Sequence, residues 1–281
     1  MKYLATVFLL LYFVLTSAQQ QTEKSTAADN VSIIKKEFVI PELNTIRHKI
    51  WVYLPPNYHN STKKFPVIYM HDGQNLFDDT TSFIGEWHVD ETLNELFHKT
   101  GKGFIVVAVE NGGSERINEY TPWKNEKYGG GKGAVYIDFI VNTLKPYIDK
   151  NYRTKKSAKH TGLIGSSLGG LISYYGGLKY PAVFGKVGAL STSFWFSDKV
   201  VDFTKENGKN KQLKLFLLVG GKEGHGMDTD MQKIEKLLLT TGFKAKNLHS
   251  KISPEGEHNE AFWKSEFLEV VTWLYNIKLE P

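Results

Sequence analysis

"HTGLIGSSLGGLISYYGGL", residues 160–178, is the stretch whose reading decides the fold. An apolar run leads into two serines boxed in by glycines, and a helical pattern follows. Gly165-Ser166-Ser167-Leu168-Gly169 matches G-x-S-x-G with Ser167 at its centre. In that motif a serine sits on a strained strand-to-helix turn at the carboxyl end of a sheet strand. The glycines let the turn close and let strand and helix approach where a Cβ would clash. Ser166 does not fit the central position, because Ile164 stands where its preceding glycine would be. A glycine-rich turn without chemistry can carry the same letters. Here the motif has its required context, a strand before and a helix after.

The same alternation runs outward in both directions. Segments 33–40 and 47–55 read as antiparallel strands joined by a turn at Pro41 to Thr45. Buried strands are expected at 65–73, 103–111, 160–165, 186–191 and 213–221, with a last strand at 247–253. Helices are expected at 88–100, 134–152 with a kink or break at Pro146, 168–178, 228–241 and 260–277. Apolar strands alternating with amphipathic helices predict an α/β fold, a mostly parallel central sheet with helices on both faces. The antiparallel N-terminal hairpin is the departure from a plain doubly wound arrangement.

A serine hydroxyl becomes a useful nucleophile only when a base takes its proton. In α/β-hydrolases the partners follow in the chain order Ser, Asp or Glu, His. His258, in "SPEGEHNEAFW", falls between the last strand and the last helix, and Asn259 beside it can cap that helix. His249 lies within a strand, and His225 comes too early in the chain. For the acid, "LLVGGKEGHGMD" offers Glu223 and Asp228. Glu223 lies closer to the strand end and is favoured; Asp228 is expected to open the next helix as a cap. Two N–H donors are needed for an oxyanion. The Leu168 N–H follows the nucleophile, and the Gln74 N–H lies in "MHDGQNLFDD" after the third strand.

The bulk numbers bound the rest. Residues 1–18 have one early lysine, an apolar stretch from Leu4 to Leu15, and small Ser17 and Ala18, the order of a secretory signal peptide cleaved after Ala18. The stretch is short for spanning roughly 30 Å of hydrocarbon, so no stable membrane anchor is expected after cleavage. Residues 19–30 read as a disordered lead-in and 31–281 as one domain. The chain has no cysteine, which excludes disulfides, thiolate metal sites and a cysteine nucleophile. A secreted chain without disulfides fits a bacterial periplasm or exterior. The net charge of +5 comes from 35 basic and 30 acidic residues scattered along the length, without a basic run interleaved with aromatics, so nucleic acid is not an expected partner. No His-Glu-x-x-His is present, and "GGGKGA" at 129–134 lacks the Ser or Thr of a phosphate-binding loop. No metal and no cofactor are expected.

The chain resembles the putative esterase family of α/β-hydrolases, which includes esterase D, enterochelin-type siderophore esterases, feruloyl and acetyl-xylan esterases and the mycolyltransferases. The resemblance runs from about Glu37 to Tyr275. It rests on "YMHDGQNLFDD", "GEWHVDETL", "VAVENGGSERINEYTPW", "YIDFIVNTLKPYIDKNYRT", "TGLIGSSLGGLIS", "FGKVGALSTSFW" and "GEHNEAFW". With the signal peptide read above, it implies a secreted or periplasmic serine esterase that hydrolyses a glycan-linked or siderophore-type carboxylic ester, a small-molecule or glycan substrate, through an acyl-enzyme. Ser167 would be its nucleophile, His258 its base and Glu223 its acid, with the backbone of Gln74 and Leu168 as oxyanion hole. Arg116, Glu119 and Trp123 are candidates for lining the substrate pocket; a loop-fixing Arg–Glu pair and a packing tryptophan fit those letters equally. Trp87, Trp195 and Trp263 read as core rather than as a sugar platform. Acyl transfer to an alcohol, and a silent glycan-binding homologue, are the competing readings.

Overall fold

The computed structural model describes residues 24–43, 47–209 and 212–279. The predicted signal peptide and the start of the lead-in lie outside them. In chain order the elements are β1 (Val31–Ile33), β2 (Phe38–Val39), β3 (Arg47–His48), β4 (Ile50–Tyr53), β5 (Val67–His71), α1 (Val89–Thr100), β6 (Ile105–Val109) and α2 (Arg116–Tyr120). Then come α3 (Gly133–Phe139), α4 (Lys145–Asn151), β7 (Thr161–Ser166), α5 (Leu168–Lys179), β8 (Lys186–Leu190), α6 (Lys199–Asn207), β9 (Lys214–Gly220), α7 (Met227–Thr241), β10 (Leu248–Ser253) and α8 (Glu260–Tyr275).

Eight strands form one sheet in the order β1-β4-β6-β5-β7-β8-β9-β10. β1, β4 and β6 pair antiparallel, and every neighbour from β6 to β10 is parallel. The predicted N-terminal hairpin forms as β2 and β3, with Phe38 opposite His48, and these two stand apart as a small sheet of their own. Successive side chains of a strand point to opposite faces, so each apolar run feeds two cores. Val67 and Tyr69 of β5 join Leu163, Val187, Leu215 and Leu217 under α3, α5 and α7. Ile68 and Met70 join Val106, Ile164, Phe216 and Leu218 under α1 and α8.

Three expectations change here. The helix predicted over 134–152 is one rod in three parts, α3 and α4 joined by a π-helical turn at Ile140–Leu144. Pro146 falls in the first turn after that wide segment, where its missing N–H costs least. Residues 24–30 are not disordered over the part described. Ser25 and Thr26 hydrogen-bond Asp78 and Glu86, the Ala28 N–H donates to Asp90, and Asn30 donates to the Leu54 carbonyl. A polar segment without periodicity is held by acceptors far along the chain, which local pattern does not carry. Finally, α6 and the short α2 add to the helices expected from the sequence.

Close packing at the quoted junction falls on two of its glycines. A Cβ at Gly165 would lie 2.6 Å from the Gly169 carbonyl oxygen, and one at Gly170 would lie 2.8 Å from that of Leu190. Both obstacles are backbone or nearly so. Gly169 itself is less constrained, its nearest neighbour being an Asp72 carboxylate oxygen at 3.4 Å. Among the described residues no helix is long and apolar enough to cross a membrane.

Candidate active site

The carboxyl ends of β5, β7, β8, β9 and β10 lie along one edge of the sheet, the edge at which open parallel sheets bind ligands. Ser167 stands between β7 and α5 with φ 57° and ψ −122°. For a residue with a side chain this is a sparsely populated conformation, costing on the order of 1–3 kcal/mol. Flanking bonds hold it in place: the Ser167 N–H donates to the Leu190 carbonyl at 2.9 Å, and the Ser193 N–H donates to the Ser167 carbonyl at 3.2 Å. Its hydroxyl lies 3.3 Å from that of Ser193.

The structure brings the His258 and Glu223 side chains together. The His258 Nδ1 is 2.8 Å from Glu223 Oε2. The Glu223 side chain has no exposed surface, whereas that of His258 is 35% exposed. The second Glu223 oxygen, Oε1, accepts from the Gly220 N–H at 2.6 Å and from the Ser191 hydroxyl at 2.5 Å. Ser191 is in turn fixed by the indole N–H of Trp263, which donates to its oxygen at 2.7 Å. An indole only donates, so the Ser191 proton is committed to Glu223. The edge of Trp263 also packs against the His258 ring, with centroids 5.2 Å apart. Asn259 caps α8, its side chain accepting from the Phe262 N–H.

Asp228 is placed elsewhere. It is exposed, lies at the second residue of α7, and accepts from the Thr229 N–H beside it. The predicted cap at this position is replaced by Gly226, in a left-handed conformation.

The loop after β5 supplies a largely buried ion pair. Asp72 sits at φ 56°, and its carboxylate takes both Nε and Nη2 of Arg116, at 2.7 and 2.9 Å, with Asn111 donating at 2.6 Å. Burial alone would raise the Asp72 carboxyl, but the Arg116 charge and these hydrogen bonds outweigh it and hold the group below its usual value. This clamp fixes the turn that carries Gln74. Burial pushes His71, next in the chain, down to about 4 and so keeps it neutral near pH 7.

Two hollows meet at Ser167 and His258. One, of about 660 Å³, is lined by Gln74, Asn111, Arg116, Phe83 and Trp263 among others. The second, of about 610 Å³, is lined by Tyr128, Ser193, Trp195, His225 and Met227. Trp195 is the exception among the three tryptophans read as core. Trp87 and Trp263 are buried, but Trp195 is 46% exposed and stands edge-on to the equally exposed Tyr128, 5.7 Å away.

Of the three pocket-lining candidates, the structure brings only Arg116 to the cleft. Trp123 packs against Tyr175 and Phe203. Glu119 is fully buried, accepting from the Gly112 N–H at 2.8 Å and facing His48 Nε2 at 3.3 Å. Its predicted Arg partner is taken by Asp72. Ser191, Ser193 and Asp72 carry this geometry although each is an ordinary letter next to a strand end, and Trp263, read as core, also holds Ser191 in place.

The family described as putative esterase matches residues 42–274. The chain belongs to the putative esterase family. Curated relatives of this esterase include YbbA of Bacillus subtilis (strain 168), 28% identical over 80% of this chain and 91% of that protein. An endo-1,4-beta-xylanase/feruloyl esterase of Xylanibacter ruminicola is 27% identical over 76% of this chain and 27% of that longer protein. In fold, the chain is similar to the BES protein from Bacillus cereus, with a TM-score of 0.70 at 22% identity over 90% of this chain and 97% of that one. It is also similar to the enterobactin esterase of Shigella flexneri, with a TM-score of 0.67 at 17% identity over 90% and 60% of the two chains. Membership of this family supports ester hydrolysis.

The placement of Glu119 has a testable consequence. His48 Nδ1 lies 3.0 Å from the Glu110 carbonyl, to which it can only donate, and burial lowers the His48 pKa. A neutral His48 then lies 3.3 Å from Glu119, whose carboxyl is pushed up to about 7 chiefly by burial. Glu119→Gln should therefore melt within about 1 kcal/mol of the parent and leave KM for an aryl ester unchanged. A large rise in KM in the folded variant would return Glu119 to the substrate pocket.

Proposed function

We propose that this esterase is a serine hydrolase that splits a carboxylic ester through an acyl-enzyme. The observation that carries the reading is the 2.8 Å contact between His258 Nδ1 and the buried Glu223 carboxylate. An ionised carboxylate only accepts, so Nδ1 carries the proton and Nε2 is left with a lone pair. That is the tautomer a general base needs. His258 takes the Ser167 proton as Oγ attacks the ester carbonyl, and Glu223 stabilises the imidazolium that forms. The Leu168 N–H is free for the developing oxyanion because the first N–H groups of a helix have no intrahelical partner. The Gln74 N–H, on the loop clamped by Asp72 and Arg116, is the second donor. His258 then passes its proton to the departing alcohol. Water repeats the sequence to free Ser167.

An ester has an acyl side and an alcohol side, and Ser167 stands where two hollows join. The exposed Tyr128 and Trp195 offer flat apolar surface to a sugar or an aromatic ring. A small-molecule or glycan-linked ester fits that surface. Feruloyl esterase and enterobactin esterase, the names of two similar proteins, belong to the same substrate range. Export is part of the proposal, resting on residues 1–18. N-terminal sequencing of the extracytoplasmic protein should begin at or near Gln19. Recovery of Met1 there would contradict cleavage.

Ser167→Ala should lower kcat by about four orders of magnitude or more, leaving what binding and the oxyanion donors supply. A fluorophosphonate probe should label the parent and miss the variant. Labelling that persists in folded Ser167→Ala protein would move the nucleophile to another residue.

A further inference from the structure

Away from Ser167, the stretch "GEWHVDETL" gathers carboxylates at the start of α1. A carboxylate oxygen of Glu86, of Asp90 and of Glu91 lie within 4.8 Å of one another. Asp90 and the Glu86 side chain are fully buried. Two of the three carboxylates have one oxygen hydrogen-bonded elsewhere, and the third faces a histidine. Glu86 Oε2 accepts from the Thr26 hydroxyl at 2.8 Å, Asp90 Oδ2 accepts from the Ala28 N–H at 2.8 Å, and Glu91 Oε1 faces His88 at 3.8 Å. The other oxygens, Glu86 Oε1, Asp90 Oδ1 and Glu91 Oε2, are buried without a hydrogen-bond partner. Among the described residues, the basic group within ion-pair reach of Glu86 and Glu91 is His88, which is 35% exposed.

Unpartnered oxygens on the buried Glu86 and Asp90, converging with one from the half-exposed Glu91, are costly unless a cation or protons join them. We propose that Glu86, Asp90 and Glu91 bind a calcium ion that locks residues 24–30 onto the start of α1. The donor set is all oxygen, which suits a hard cation. Calcium–oxygen bonds of about 2.4 Å allow two ligands of one ion to lie up to about 4.8 Å apart, and the three oxygens here lie within that limit. Thr26 and Ala28 hold the far oxygens of two ligands, so an ion that orients those carboxylates also fixes the arm. The alternative is a shared proton. Burial raises Glu86, and raises Asp90 to about 8 with the neighbouring Glu91 adding to it, so without a cation Asp90 holds a proton near neutrality. One proton shared between two carboxylates still leaves the third oxygen without a partner.

The purified protein, stripped with EDTA and titrated with CaCl2, separates these cases. One calcium per chain is expected, with a melting temperature about 5 °C or more above the EDTA form when calcium exceeds its Kd 100-fold. Calcium should also protect residues 24–30 from proteolysis, while kcat changes less than about two-fold because no ligand touches Ser167. Asp90→Asn and the more exposed Glu91→Gln should each weaken binding by about ten-fold or more. Identical wild-type melts in CaCl2 and EDTA would overturn the proposal in favour of shared protons. So would a calcium response that survives both substitutions. A response to zinc but not calcium would overturn it too, moving the ligands to the neighbouring Asp79, Glu86 and His88 group.

Discussion

The Glu223 carboxylate is the constraint around which the loops after β8, β9 and β10 are arranged. A carboxylate with no exposed surface must be surrounded by donors, since a buried acceptor left without one costs about 1–3 kcal/mol or more. Three loops each supply one. The Gly220 N–H comes from the end of β9, the Ser191 hydroxyl from beyond β8, and the His258 ring from beyond β10. Ser191 adopts φ 45° to make its contribution, and Trp263 of α8 fixes the direction of that hydroxyl. The histidine is thereby oriented by a network that reaches from the sheet into the last helix.

A second, largely buried pair does for the other wall of the cleft what Glu223 does for the first. Asp72 and Arg116 join the loop after β5 to α2, and Asn111 just past the end of β6 completes the set of donors to Asp72. Ser167 lies between these two anchored walls on a strained turn. Its own strain is held by bonds to Leu190 and Ser193, both from the β8 side. Position and protonation are thus set by backbone and buried groups, and the solvent-facing aromatics Tyr128 and Trp195 are left free for contact with a ligand.

Much of the sheet was legible because an apolar run of five to seven residues has few other uses, as in β5, β6 and β9. Ser167 was legible because its turn demands small neighbours, and Gly165 is packed against the Gly169 carbonyl. His258 and Glu223 followed from chain order, and the structure brings their side chains into contact. What pattern could not carry was partner choice at long range. Arg116 pairs with Asp72 rather than with the nearby Glu119, and Glu119 instead faces His48 across the core. Trp195 reads like its two buried namesakes, since exposure depends on which loops surround it. Residues 24–30 look disordered as letters, yet they meet Asp78, Glu86 and Asp90 some fifty to sixty positions away.

The central claim is that the buried Glu223 carboxylate sets the His258 tautomer, and Glu223→Gln tests it most directly. The amide oxygen can still accept from Gly220 and Ser191, but the amide N–H group would face Nδ1 and favour the wrong tautomer. Steady-state kinetics on an activated aryl ester should show kcat lowered by about 10⁴-fold with KM little changed, while Asp228→Asn stays close to the parent. A folded Glu223→Gln with near-parental kcat, beside an inactive but folded Asp228→Asn, would contradict the account.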